Sequence, residues 1–189
     1  MNHFYERIQG WFDFQDIYSE QVKRAKDGFH FVEIGSWLGR STSYMIVEIV
    51  NSGKQIKFDA VDTWKGSIQE MWTYEEVLKA HNGDVYGVFI KNMGKAIQYV
   101  NPMRMLSTEA AAKYPNESLD FIFIDACHLY DCVKSDLQAW YPKLKKSGCI
   151  AGHDYNLQGV KSAVDEFFGV NKTKTLVTSW VYDLRIKLW

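Results

Sequence analysis

Five short apolar runs, at residues 29–34, 56–61, 103–106, 119–124 and 149–152, alternate with stretches whose apolar residues recur at helical spacing. Strand followed by helix, five times over, is the pattern of a parallel sheet covered by helices on both faces, because only such a sheet buries strands on both sides. The end of the chain changes character. Runs at 173–178 and 180–188 are both β-prone, with no helix between them, and predict an antiparallel hairpin. The expected architecture is therefore α/β, a mostly parallel sheet of seven strands closed by that hairpin.

A chain of 189 residues with 47% hydrophobic side chains can bury one real core, so a single domain over 1–189 is expected. Pro102, Pro115 and Pro142 read as connections. Two helical segments lie outside the alternation. Residues 1–28 form a leading helical segment, and residues 66–100 an insertion broken near Asn82-Gly83-Asp84 that either covers a pocket or adds core packing. The 22 Lys and Arg nearly cancel the 23 Asp and Glu, which speaks against nucleic acid or an anionic membrane as partner and for a small-molecule substrate. No apolar run approaches the roughly 20 residues of a membrane helix, and residues 1–14 do not resemble a signal peptide, so a cytoplasmic location is expected. Cys127, Cys132 and Cys149 suit reduced thiols. Cys127 and Cys132 flank His128, but no C-x-x-C pair supports zinc.

The most informative stretch is Val32-Glu33-Ile34-Gly35-Ser36-Trp37-Leu38-Gly39-Arg40-Ser41-Thr42. A strand ends in an acid, turns through two glycines and opens a helix whose free N–H groups face the turn. The spacing is G-x-x-x-G, not the G-x-G-x-x-G of a pyrophosphate site. The next strand ends in Asp62, where Rossmann-like folds hold a ribose diol. Each acid taken alone is equally consistent with a helix cap.

Further on, Asp125 ends one strand, His128 follows three residues later, and His153 and Asp154 end the next strand. Adjacent parallel strands bring these ends together. Two carboxylates with an imidazole suit Mg²⁺, or Mn²⁺ where the imidazole coordinates, so Asp125, His153 and Asp154 are the expected metal ligands. An ordinary histidine pKa near 6.5 makes His128, with Asp125, the expected catalytic residue as proton acceptor. His128 could instead cap a helix, and His153 could bond a carbonyl.

Glu33-Ile34-Gly35-Ser36 with Gly39, Asp62-Thr63-Trp64-Lys65-Gly66, Ser107-Thr108-Glu109-Ala110-Ala111, the run from Phe121 to Tyr130, and Gly152-His153-Asp154-Tyr155 resemble the successive motifs of class I S-adenosylmethionine-dependent methyltransferases. The group most similar is macrocin O-methyltransferase and its sugar-modifying relatives. The resemblance implies a Rossmann-like fold, S-adenosylmethionine as methyl donor and a sugar or secondary-metabolite hydroxyl as acceptor. It implies that Glu33, Gly35, Ser36, Trp37 and Gly39 shape the methionine end of the cofactor pocket, and that Ser41 bonds the carboxylate. Asp62 and Thr63 would take the ribose and Trp64 would lie near the adenosine. Ser107 and Thr108 would edge the adenine, with Asp125 and Ala126 beside them. Ala126 replaces a common glycine, and His153 stands where metal-dependent relatives often carry an acid or amide. A nicotinamide or nucleotide-sugar enzyme, and a catalytically silent binding protein of the same fold, remain alternatives. Aromatic residues such as Trp11, Tyr18, Trp72, Tyr74, Tyr86 and Tyr99 could meet an acceptor, and exposed ones near the amino terminus would suit a homodimer.

Overall fold

A computed structural model describes residues 1–66 and 71–185; the ends of the expected insertion linker and of the last strand, 67–70 and 186–189, and the side chains of Trp72 and Tyr74, lie outside the described residues. The strands are β1 (His30–Ile34), β2 (Lys57–Asp62), β3 (Asn101–Arg104), β4 (Leu119–Ile124), β5 (Leu144–Gly152), β6 (Lys174–Leu176) and β7 (Ser179–Asp183). The helices are α1 (Gln15–Arg24), α2 (Arg40–Ser52), α3 (Met71–Ala80), α4 (Val85–Met93), α5 (Ser107–Ala111), α6 (Tyr130–Trp140) and α7 (Gln158–Phe168). The expected sheet forms, in the order β3-β2-β1-β4-β5-β7-β6, with β7 antiparallel to both of its neighbours.

Alternation along the central strands sorts side chains into two cores. Phe31, Phe121 and Phe123 face the layer of α1, α2 and α4, where Tyr18, Met45, Ile46 and Phe89 are buried. Val32, Ile34, Ile122 and Ile124 face the layer of α6 and α7, against Leu137, Trp140, Val160 and Val164. Both faces are dry, which is why these strands read as continuous apolar runs. Full burial of side chains of this size is worth about 1.5–3 kcal/mol each, so the two layers pin the register of β1 against β4.

Two expectations need correction. The third strand lies at 101–104 rather than 103–106, and Pro102 sits inside it, opposite Ala60. Because β3 is an edge strand with a neighbour on one side only, a missing N–H is tolerated there. The last parallel strand begins at Leu144, five residues early, and its register against β4 shifts between Leu144 and Cys149. The leading segment holds a 3-10 turn at Tyr5–Arg7 and then α1.

The insertion breaks at Asn82 and Gly83, both left-handed, and Asp84 caps α4 by accepting from the Gly87 N–H at 2.8 Å. Val85, Phe89 and Met93 bury its inner face. Among the described residues, none from 71–99 lines either cavity of the site below, whereas Gly66, where the expected insertion begins, borders the first. No helix among the described residues is long and apolar enough to cross a membrane.

Candidate active site

The chain leaves β1 toward β2 and β3 on one side and resumes at β4 on the other, so the crevice beyond the carboxyl ends of β1 and β4 is the topological switch point, where open α/β sheets take ligands. Backbone bonds hold the crevice shut at its base: Asp125 N–H to Ile34 O at 2.8 Å and Gly35 N–H to Val61 O at 2.8 Å. Gly35 has φ +91°, and a Cβ there would collide with the Asp125 carbonyl oxygen. Gly39, with φ +90°, would drive a Cβ into Met93 and Phe89. The first glycine lets the strand ends approach; the second lets α2 approach α4.

Glu33 lies beneath the turn rather than in the crevice. It is 1% exposed and accepts hydrogen bonds from Tyr18 Oη at 2.7 Å, Ser36 Oγ at 2.8 Å and the Thr42 hydroxyl. Burial raises its pKa against the pull of those hydroxyls. Asp62 ties the turns after β1 and β2 together, accepting from Trp37 N–H at 2.8 Å and Trp64 N–H at 2.7 Å. Trp64 Nε1 in turn donates to Trp37 O at 2.7 Å. Trp64 is 1% exposed and packs on Tyr86 and Phe89. The sequence reading of Glu33, Gly39 and Trp64 as pocket residues therefore changes: they support the pocket wall from behind, because each side chain, or the space left by it, faces the α2 and α4 layer.

Two cavities open from the crevice. The first, of about 330 Å³, is bordered by Asp62, Thr63, Ser107, Thr108, Cys127, Cys132 and Asp136. The second, of about 600 Å³, is bordered by Trp11, Asp13, Ser36, Arg40, Ser41, His128, His153, Asp154 and Thr178. Gly35, Trp37, Asp125 and Ala126 border both, so the cavities adjoin across the strand ends. Trp11 is 64% exposed and stacks on Trp37, with ring centroids 5.7 Å apart and planes at 16°.

Beside the shared wall, Asp125, His128 and Asp154 bring one ligand atom each within 4.8 Å of one another. His128 Nε2 is 2.9 Å from Asp154 Oδ2 and 4.0 Å from Asp125 Oδ1. His153 turns Nδ1 to Asp154 at 3.1 Å and to Asp125 at 3.5 Å, while Nε2 lies 2.9 Å from both Asp13 Oδ1 and Thr178 Oγ1. Burial opposes a charge on either imidazole, yet the paired carboxylates outweigh it and push His128 up to about 10 and His153 up to about 11. Although burial works the other way, the same contacts hold the Asp154 carboxyl far below the usual range. This corrects the expectation of a His128 titrating near 6.5: in the protein alone it carries its proton at neutral pH.

Asp13 and Asp136 escaped the sequence reading. Asp13 meets His153 across 140 residues of chain, and no local pattern announces that. Asp136 had a readable signal, since it stands four residues after Cys132 on one face of α6.

A search of curated protein sequences finds no match. Among solved structures, the chain is similar to the O-methyltransferase NovP, at 16% identity and TM-score 0.66 over 89% of this chain and 78% of that one. It is similar to CalS11, a calicheamicin methyltransferase, at 15% identity and TM-score 0.59 over 89% and 76%. It is also similar to a structural-genomics protein from Corynebacterium glutamicum, at 10% identity and TM-score 0.61 over 96% and 85%. At such identities the likeness establishes the Rossmann-like methyltransferase fold. Residues 32–155, which run from β1 through β5 and carry the glycine turn, Asp62, Asp125 and Asp154, match the methyltransferase domain family, and the chain belongs to that family.

Proposed function

We propose that the protein is an S-adenosylmethionine-dependent O-methyltransferase that methylates a hydroxyl of a small molecule, a sugar or a secondary metabolite, with a divalent cation, Mg²⁺ or Mn²⁺, at Asp125 and Asp154. The observation that carries this reading is the pair of cavities meeting across Gly35, Trp37, Asp125 and Ala126. Methyl transfer is an in-line displacement between two molecules and needs a donor pocket and an acceptor pocket on one shared wall. NovP, an O-methyltransferase, supports the reaction class, and CalS11, a calicheamicin methyltransferase, supports an acceptor of that kind.

The residues present fit the donor. A cavity of about 330 Å³ is of small-molecule size, with the Asp62 carboxylate available to a diol and the Ser107 and Thr108 hydroxyls at the base-binding border. Gly35 lies where the two cavities join and Ser41 borders the second, positions suited to the amino-acid end. The carboxylates of Asp125 and Asp154 fit an oxygen-preferring cation, and the imidazole grouped with them is His128 and not the expected His153. Bound, the donor supplies an electrophilic methyl group, and the cation supplies positive charge that makes a nearby hydroxyl more acidic. Asp125 and Asp154 orient the imidazoles; His128, bordering the acceptor cavity, holds or takes up the proton that the hydroxyl must lose. Trp11 and Trp37 offer flat apolar faces to the acceptor.

Calorimetry with S-adenosylhomocysteine, and Mn²⁺ binding followed by electron paramagnetic resonance, test the two halves separately. The expected result is stoichiometric binding of each, with Mn²⁺ binding lost in Asp154→Ala. Failure to bind S-adenosylhomocysteine would overturn the donor; Mn²⁺ binding equal in the two proteins would overturn the cation site.

A further inference from the structure

Eight large apolar side chains are exposed among the described residues, and four of them belong to the mouth of the second cavity. Trp11 and Leu157, 64% and 39% exposed, line it; Leu129 follows His128 and Val177 precedes Thr178, and both of those neighbours line it. Three of the four stand where local structure asks for something else. Val177 and Thr178 form the two-residue turn between β6 and β7, and Val177 takes φ +53°, a left-handed value that suits Asn or Gly and that a β-branched residue avoids. At 80% exposure it gains almost nothing from burial on folding. Leu129 and Leu157 occupy the N-cap positions of α6 and α7, where Ser, Thr, Asn or Asp would satisfy a helical N–H, and neither makes a side-chain cap. The elements that carry these residues are tied together. Gly159 of α7 lies against the His128 carbonyl, the Tyr155 N–H donates to Thr178 O at 2.7 Å, and the Thr178 hydroxyl donates to Asp13 Oδ2 at 2.7 Å.

A chain that departs from its local preferences three times around one opening keeps those side chains for what they meet there. The cavity floor has the opposite character, since Asp13, Ser36, Ser41, His128, His153 and Asp154 are polar or charged. On the reading of this cavity as the acceptor side, on which this inference rests, the floor suits a hydroxyl-bearing group and the mouth an apolar one. We infer that the acceptor is amphipathic, its hydroxyl-bearing end on that floor and an apolar portion lying outward over a rim of Trp11, Leu129, Leu157 and Val177. The occupant of the rim is the acceptor rather than a second copy of the chain because rim and cavity are continuous: Trp11 and Leu157 are themselves cavity wall, and Thr178 bonds the turn that carries Val177 to Asp13 on the floor.

The test titrates methyl and hexyl β-D-glucoside, with S-adenosylhomocysteine present, into the unmodified protein, into Val177→Asn and into a variant that joins Leu129→Ser to Leu157→Ser. A methylene fully withdrawn from water is worth about fourfold in affinity, so the partly covered hexyl chain should bind roughly tenfold or more tightly than the methyl compound. Each variant should cut that ratio by about threefold or more, and should unfold at higher urea than the unmodified protein, because the fold prefers the replacements. A ratio near one in the unmodified protein would overturn the assignment. So would a ratio that survives unchanged in the variants, the result expected of a rim that meets a second copy of the chain. Variants that unfold at lower urea would overturn it too, since these side chains would then serve the fold. If neither glucoside binds, the acceptor reading of the cavity falls and this inference with it; equal binding of the two overturns this inference alone.

Discussion

Replacing Asp136 by Asn should stabilise the fold, by an amount that depends on pH. In the unfolded chain the carboxyl titrates near its ordinary value of about 3.9; in the folded protein burial against Leu137 and Trp140, offset only by Ser107, carries it up to about 6. A group whose folded-state pKa is the higher one contributes fully below its unfolded value, and that contribution is lost as pH rises through the folded value. The lost stability levels off at about 3 kcal/mol above pH 6, at about 1.4 kcal/mol for each tenfold change in proton affinity. Asparagine keeps the shape and never ionises. The advantage of Asp136→Asn should therefore be small near pH 4, about half developed near pH 5 and complete by pH 7.5. With a urea dependence of about 2–3 kcal/mol per molar, the unfolding midpoint should move up by about 1 M at pH 7.5. Urea melts of both proteins at pH 5.0 and 7.5, without ligand, make the measurement. A midpoint difference that is the same at both pH values, or an Asn variant less stable at pH 7.5, would refute the reasoning.

Glu33→Ala strands the hydroxyls of Tyr18, Ser36 and Thr42 in the core and should cost about 3–5 kcal/mol, since each buried orphan is worth roughly 1–3 and neighbours do not add fully. Glu33→Gln, which keeps an acceptor, should lose less than half as much in the same urea melts; equal losses would mean that charge rather than acceptor capacity matters. His128→Ala should keep S-adenosylhomocysteine affinity within about threefold while methyl transfer to a panel of sugar and phenol hydroxyls falls by about 10²–10⁴-fold, and activity near that of the unmodified protein would remove His128 from proton transfer.

The central strands were legible because burial on both faces favours apolar residues, so β1, β2 and β4 read as apolar runs even though each holds one buried acid, Glu33, Asp59 or Asp120. The edges were not. Pro102 argues against a strand in general, and only the fact that β3 has a single neighbour makes it acceptable there. At the site, sequence order told which strand end carries each acid, but not which way its side chain turns. Asp62 and Glu33 both end strands ahead of turns, yet Asp62 borders a cavity and Glu33 points into the α1 and α2 layer, where Tyr18 arrives from fifteen residues upstream. Ionisation was less legible still. The pKa of His128 depends on Asp154, 26 residues away, and the difference between an ordinary imidazole and one held protonated lies in a 2.9 Å contact.

The backbone itself is under tension at the same place. Trp37, Trp64 and Asp154 have φ of +41°, +51° and +56°, values that L-residues with bulky side chains avoid at roughly 1–2 kcal/mol each. All three follow strands at the carboxyl edge of the sheet, after β1, β2 and β5. The compensation is visible for the two tryptophans: Asp62 takes both of their N–H groups, and Trp64 Nε1 bonds the Trp37 carbonyl, so each unfavourable turn is locked by the other. Glycine would relieve the strain at position 37 but would remove the ring against which Trp11 stacks, between the two cavities. Strained turns there and a buried carboxylate at Asp136 are unfavourable for folding alone, and they border one crevice. Left-handed residues also occur at Asn82, Glu117, Asn171 and Val177, but the three at the sheet edge are the ones that shape the wall of the crevice, where conformational strain is accepted in return for a surface arranged before a ligand arrives.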